Sequence, residues 1–350
     1  MPKKIVFCSD GTWQNVANNT NVFKLYAALN KTDDQITIYD DGVGADGSLI
    51  ERVVDGAFGI DLFQKVREAY LQIAQIYQAG DLLYLIGFSR GAYTARSLAG
   101  MIAFCGLPTK DPTAVDENMA NAAFNAYHGR NKNLLAKLNA QWNMFDAQIT
   151  MVGVWETVGS LGIPAIFGGV GLAFGFLDTS LHPDVHNAYQ AVAVDEHRHE
   201  FVPTFWTSPP APGQKIEQVW FSGAHSDLGG GANDAAPDGT HLSDISLAWI
   251  ASKAFALGLE FLPGTEKIYT LPVDPAFALD PIDNSWNPAW GVPVNRPISN
   301  NAPVSNSVAV RCAGDASYRP ANLSISAEGV LSTEYTQVPV VGNANAAAVS

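Results

Sequence analysis

The sequence predicts an α/β protein built on a mostly parallel central sheet with helices on both faces. Three observations carry that expectation. Short apolar runs closed by turn residues recur along the chain, and helix-forming stretches separate them. One junction, Leu82 to Arg96, passes from a buried run through Gly87-Phe88-Ser89-Arg90-Gly91 straight into a helix. Strands alternating with helices imply right-handed crossovers, and binding sites in such sheets lie beyond the carboxyl ends of the strands.

The first element is a strand over Ile5 to Cys8, closed by Ser9-Asp10-Gly11-Thr12. Asn21 to Leu29 reads as an N-capped helix and Ile36 to Tyr39 as a second strand, with a turn-rich loop over 40–47 behind it. A helix over Asp61 to Gln78 precedes the strand Leu82 to Ile86, and another runs from Ala92 to about Cys105. Polar helical sequence then reaches about Trp142, and Ile149 to Trp155 forms the next strand, leaving through Glu156-Thr157-Val158-Gly159-Ser160. Asp184 to His197 has the pattern of an amphipathic helix, and Pro203 to Pro212 is a turn-rich connection. Gln218 to Phe221 reads as the last core strand, and Ser243-Asp244 caps a helix to about Leu257. A core over residues 1–260 and a Pro- and Asn-rich extension over 261–350 packed on it follow, with a flexible end from Gly342.

Composition narrows the function. At 350 residues and 47% hydrophobic, the chain can bury a large core. Its 34 acidic against 20 basic residues, a net charge of −14, argue against a nucleic-acid partner and against simple attraction to anionic membranes. Cys8, Cys105 and Cys312 are too few and too scattered for a disulfide framework or a zinc site, and no cofactor is expected. The N-terminus lacks the pattern of a secretory signal, so the expected location is the cytoplasm, with signal-independent export left open. Residues 161–177 are apolar with Pro164 and five glycines, which disfavours a spanning helix. The surrounding segment, 158–182, reads as a lid-like insertion or acyl-chain surface, or else as a loop buried under other elements.

The Ser89 junction has the strand-turn-helix context of a nucleophile elbow, in which flanking glycines permit a tight, strained turn that leaves the hydroxyl exposed. A serine hydroxyl needs a base to take its proton and a carboxylate to orient that base. The strand exits supply Ser89, Glu156 and His225 in that order. Of the seven histidines, His225 alone follows a buried strand, with His241 in reserve. Asp227, Asp244 or Asp195 are alternatives for the acid, and Asp227 has a second reading as the pin of the His225 loop. Glu156 has one too, as a cap of the turn that follows it. The oxyanion needs backbone donors: Arg90 provides one N–H, and Gly11 or Thr12 a second. Asp10 then orders that loop or pairs with Arg90.

The motifs Ser9-Asp-Gly-Thr-Trp13, Gly87 to Arg96, Val154 to Gly162 and Trp220 to Gly231 together resemble an alpha/beta-hydrolase domain family that includes the catalytic domain of type VI secretion phospholipase effectors. Ala193 to Phe201, Leu242 to Trp249 and Tyr318 to Leu323 add to the resemblance. It implies an alpha/beta-hydrolase-like fold and a serine esterase or lipase, with Ser89 and His225 at the motif positions. The family carries aspartate where this chain has Glu156. The partners it implies are an ester or lipid substrate, a membrane surface met through the apolar stretch, and a secretion-apparatus or immunity protein.

Two other readings belong beside this one. Cys8-Ser-Asp-Gly-Thr12 is similar to the D-x-D-G-T start of magnesium-dependent phosphatases, but Cys8 stands where that chemistry needs a carboxylate. A non-catalytic hydrolase-fold module that binds a lipid or protein is the second, and it has no use for Ser89, Glu156 and His225 together.

Overall fold

A computed structural model describes residues 2–11, 18–42, 58–108, 115–158, 179–231, 239–283 and 286–342. The loop over 43–47 and the apolar stretch 161–177 lie outside the described residues.

Among the described residues eight strands form one sheet. They are β1 (Lys4–Ser9), β2 (Gln35–Asp40), β3 (Leu82–Phe88), β6 (Ile149–Trp155), β7 (Asn187–Ala193), β8 (Lys215–Phe221), β9 (Pro303–Ser305) and β10 (Thr336–Val338). In space the order is β2-β1-β3-β6-β7-β8-β9-β10, and every neighbouring pair is parallel. A small antiparallel pair, β4 (Leu107–Pro108) with β5 (Met144–Phe145), stands apart. The chain leaves β1 for β2 on one side and returns to β3 on the other. Strand order therefore reverses between β1 and β3, and their carboxyl ends open the crevice where such sheets bind ligands.

The side chains of the central strands β1, β3 and β6 divide between two cores, and a third, smaller one lies by β7, β8 and β9. Ile5, Phe7, Leu83, Leu85, Val152 and Val154 face α2 (Phe58–Ala74), α3 (Arg90–Cys105) and α4 (Glu117–His128), which α5 (Lys132–Trp142) follows. Val6, Cys8, Tyr84, Ile86 and Met151 face α1 (Asn21–Ala28) and α7 (Ser243–Ala256) instead. The central strands thus have no polar face, and each aliphatic side chain removed from water contributes about 1.5–3 kcal/mol. Thr20 caps α1, its hydroxyl accepting from Phe23 N at 3.1 Å.

Two expectations from the sequence are corrected. The helix read over Asp184 to His197 is the strand β7, whose backbone pairs with β6 on one side and β8 on the other. Its three alanines and charged flanks imitate an amphipathic helix, but six of its seven residues are buried, and a strand between two others needs no polar stripe. Gln218 to Phe221 does not end the sheet either. The segment after α7 adds β9 and β10, three residues each, around α8 (Asn306–Gly314). Strands that short carry no readable alternation.

Candidate active site

The serine side of the site is built by steric fit. Ser89 follows β3 with φ 56° and ψ −115°, a left-handed conformation that a residue with a side chain adopts at a cost of about 1–3 kcal/mol. Its N–H donates to Trp155 O at 3.0 Å, and α3 begins at the next residue. The flanking glycines provide space, and the left-handed strain sits on Ser89 itself. A Cβ on Gly91 would come within 2.0 Å of Ser9 O, and one on Gly87 within 2.3 Å of Gly91 O. The turn thus lies directly against the end of β1.

That end of β1 is fixed by Asp10, which is buried. Its Oδ2 accepts from Thr20 Oγ1 at 2.6 Å and Tyr39 Oη at 2.8 Å, and its Oδ1 accepts from Gly11 N at 2.8 Å. Asp10 orders its loop, and Arg90 is not among these partners. The Gly11 amide, expected as an oxyanion donor, is already committed to Asp10. Thr12, its alternative, lies outside the described residues. The Arg90 N–H stands at the start of α3, where helix geometry leaves backbone donors without intrahelical acceptors.

The histidine side is held by charge. Glu156 leaves β6 with φ 48° and is fully buried. Its Oε2 lies 3.0 Å from His225 Nδ1 and accepts from Arg296 Nη2 at 2.8 Å. Its Oε1 accepts from Arg296 Nη1 at 2.8 Å and from Ala193 N at 2.7 Å. Burial alone would raise this carboxyl, but the Arg296 charge and the bonds from His225 and Arg296 reverse that and bring it down to about 2. A carboxylate only accepts, so His225 Nδ1 carries the proton and Nε2 the lone pair. Burial lowers the His225 pKa despite the opposing Glu156 bond and charge, which keeps the imidazole neutral and able to accept a proton at Nε2.

His225 opens a short helix, α6 (His225–Gly229), immediately after the exit of β8, where the sequence suggests a glycine-rich turn. Its ring lies 4.8 Å from that of Phe88, the residue before Ser89, and 4.9 Å edge-on from that of Phe201. Its backbone N–H donates to Glu196 Oε2 at 3.2 Å, and Glu196 in turn takes a fork from Arg198 at 2.8 and 2.9 Å. The Arg198 guanidinium lies 3.6 Å over Phe201, and Phe201 meets Trp290 edge-on at 5.7 Å.

The strand ends thus set Glu156 against His225 and the His225 ring against Phe88, the residue before Ser89, and give the other acidic candidates different partners. Asp227 accepts from Ala224 N at 2.8 Å and Asp283 N at 3.1 Å, pinning the loop that presents His225. Asp195 accepts from Gly223 N and the Tyr318 hydroxyl at 2.7 and 2.8 Å. Asp244 pairs with Lys24 at 2.7 Å and bonds His241 N at 3.1 Å. Among the described residues no group of three or more His, Cys, Asp or Glu side chains is arranged to hold a metal ion, and no helix is long and apolar enough to cross a membrane. Sequence reasoning missed Arg296, Glu196, Arg198, Phe201 and Trp290. Three of these lie in the Ala193 to Phe201 run, whose resemblance was visible while its placement beside His225 was not.

Residues 3–253 match the family model described as the catalytic domain of the type VI secretion system phospholipase effector, Tle1-like. An uncharacterized protein of Saccharomyces cerevisiae is 37% identical over 125 residues, covering 31% of this chain and 18% of that protein. Two solved structures also match. An uncharacterized protein from Pseudomonas aeruginosa aligns at 17% identity and a TM-score of 0.48, over 79% of this chain and 49% of that one. The Tle1 effector bound to the VgrG spike of the type 6 secretion system aligns at 19% and 0.40, over 68% and 52%. This chain therefore spans about half the length of the two solved chains and far less of the yeast protein. Because the family model covers most of its length, the chain belongs to the family of Tle1-like phospholipase effector catalytic domains of type VI secretion.

Proposed function

We propose that the chain is a serine hydrolase of carboxyl esters, with lipid or phospholipid esters as substrates. The observation that carries this reading is the buried Glu156–His225 pair at 3.0 Å, whose imidazole packs against the residue preceding the strained Ser89. In the proposed reaction Ser89 Oγ attacks the ester carbonyl carbon while His225 Nε2 takes the hydroxyl proton. Glu156 stabilises the imidazolium that forms, and the Arg90 N–H donates to the oxyanion. Collapse of the tetrahedral intermediate breaks the ester C–O bond, and His225 returns the proton to the departing alcohol. Water then attacks the acyl-enzyme by the same route and releases the acid.

Family membership supports a lipid substrate and export by a type VI apparatus, and a protein of that secretion apparatus is the partner class we infer. A fluorophosphonate probe tests the chemistry. Native protein should label at Ser89, and Ser89→Ala should lose both label and about a thousandfold or more of ester turnover. Labelling that is absent, or unchanged in the variant, overturns the reading. Turnover should also rise with acyl length and at a lipid interface, and acetyl esters cleaved equally well would remove the lipid assignment.

A further inference from the structure

Arg296 lies beyond the residues that the family model matches, yet it reaches the most buried carboxylate of the site. We propose that Arg296 is a positioning residue: its two-pronged grip on Glu156 fixes the carboxylate plane so that one oxygen stays aimed at His225 Nδ1. The segment after the matched residues thereby completes the site. This inference rests on the serine-hydrolase reading above.

The geometry separates this role from a generic ion pair. Arg296 is 5% exposed, and its two terminal nitrogens meet both Glu156 oxygens at 2.8 Å. Nη1 also donates to Ala193 O at 2.9 Å, and Nη2 to Phe201 O. The guanidinium therefore bridges the exit of β6, the exit of β7 and the backbone of Phe201, whose ring borders His225. Its own backbone is clamped in turn. Asn322 Nδ2 donates to Arg296 O at 3.1 Å and to Val194 O at 2.9 Å, while Tyr318 holds Asp195. The Tyr318 to Leu323 motif thus acts on the site through Arg296.

The charged groups facing His225 are Glu156 from the exit of β6, Glu196 and Arg198 from the segment after β7, and Arg296 through Glu156. Glu196 is matched by Arg198, as Glu156 is by Arg296. With Arg296 present, Glu156 shares its negative charge between two partners. Without it, the whole charge acts on the imidazole, which becomes more basic, and the carboxylate is free to turn about its last bond. A group that merely fills space would change neither property.

The test uses the full chain with Arg296→Met and Arg296→Lys. It reads the His225 titration by long-range 1H–15N NMR and kcat/KM against pH on a Ser89-dependent ester. In Arg296→Met the His225 titration and the acid limb should rise together by about one pH unit, and kcat should fall about 10- to 100-fold. Arg296→Lys keeps the charge and loses the fork, so its limb should stay within about 0.3 pH unit while kcat falls about tenfold. A folded Met variant with an unmoved His225 titration overturns the proposal, as does a Lys variant with undiminished kcat. If the Met variant does not fold, the Lys variant decides. Absence of Ser89-dependent turnover in the native chain would sink the hydrolase reading instead, and the NMR titration would still test Arg296.

Discussion

The two halves of the site are held by different physics. At the serine half, β1, β3 and α3 press together so closely that Gly87 and Gly91 have no room for a Cβ, and the strain falls on Ser89. At the histidine half, Glu156–Arg296 and Glu196–Arg198 form two ion pairs, the first against the His225 ring and the second at its backbone N–H. Steric contact over a few residues can be encoded in a short motif. Charge compensation in a buried crevice is assembled from strand exits and segments far apart in the chain, because a single buried charge is costly wherever its partner comes from.

The largest expected effect breaks the steric half. Gly91→Ala would place a methyl 2.0 Å from Ser9 O, and backbone cannot swing aside as a long side chain can. Destabilisation should reach or exceed the upper end of the ~1–3 kcal/mol typical of overpacking, with activity lost alongside. Thermal unfolding checks it, and a variant melting within a degree of native would refute the close-packed elbow.

Glu156→Gln attacks the electrostatic half. The amide cannot stabilise an imidazolium, so kcat should fall about 10³- to 10⁴-fold, and Arg296 is left buried without its counter-charge at a cost of about 3–5 kcal/mol. Combining Glu156→Gln with Arg296→Met should restore much of the stability and none of the activity. Near-native activity in the single variant would mean that the acid lies elsewhere.

This division also governs what the sequence discloses. The Ser89 junction is legible because its parts are contiguous: an apolar strand, two spaced glycines and a helix start. The exits carrying Glu156 and His225 are legible because β6 and β8 end in apolar runs that stop sharply. Burial of β7 on both faces hides it, since Asn187 to Ala193 lacks the alternation of a half-exposed strand and has a single β-branched residue, Val192, to mark a buried one. Arg296 has no local signal at all. It stands in irregular chain 140 residues from Glu156, and only the folded sheet makes them neighbours. At the elbow Gly87 and Gly91 leave the tight turn free of side chains that would block it, while the left-handed strain is carried by Ser89 itself.

A smaller effect sharpens the contrast within the histidine half, where two buried carboxylates end up shifted in opposite directions because their partners differ. Glu156, gripped by Arg296 and His225, sits at about 2, below its ordinary 4.5. Its contribution to stability is present above pH 4.5 and is lost as pH falls towards 2. Among the described residues Asp227 has only backbone N–H donors, and burial, with Asp283 and Asp195 adding repulsion, raises it from 3.8 to about 7. Here the sign is reversed. The folded state holds the proton more tightly than the unfolded chain, so the contribution of Asp227 is fully present below about pH 4 and is lost as pH rises to 7. The change across that window is on the order of a few kcal/mol, reduced by whatever water reaches the loop. Asp227→Asn removes this titration while keeping one acceptor for the Ala224 N–H. Denaturant unfolding of both proteins from pH 4 to 8 should show native stability declining relative to the variant up to about pH 7, then running parallel to it. Parallel curves across the whole range would mean that the Asp227 carboxylate is as well compensated as Glu156, and that an arginine is not what distinguishes the two.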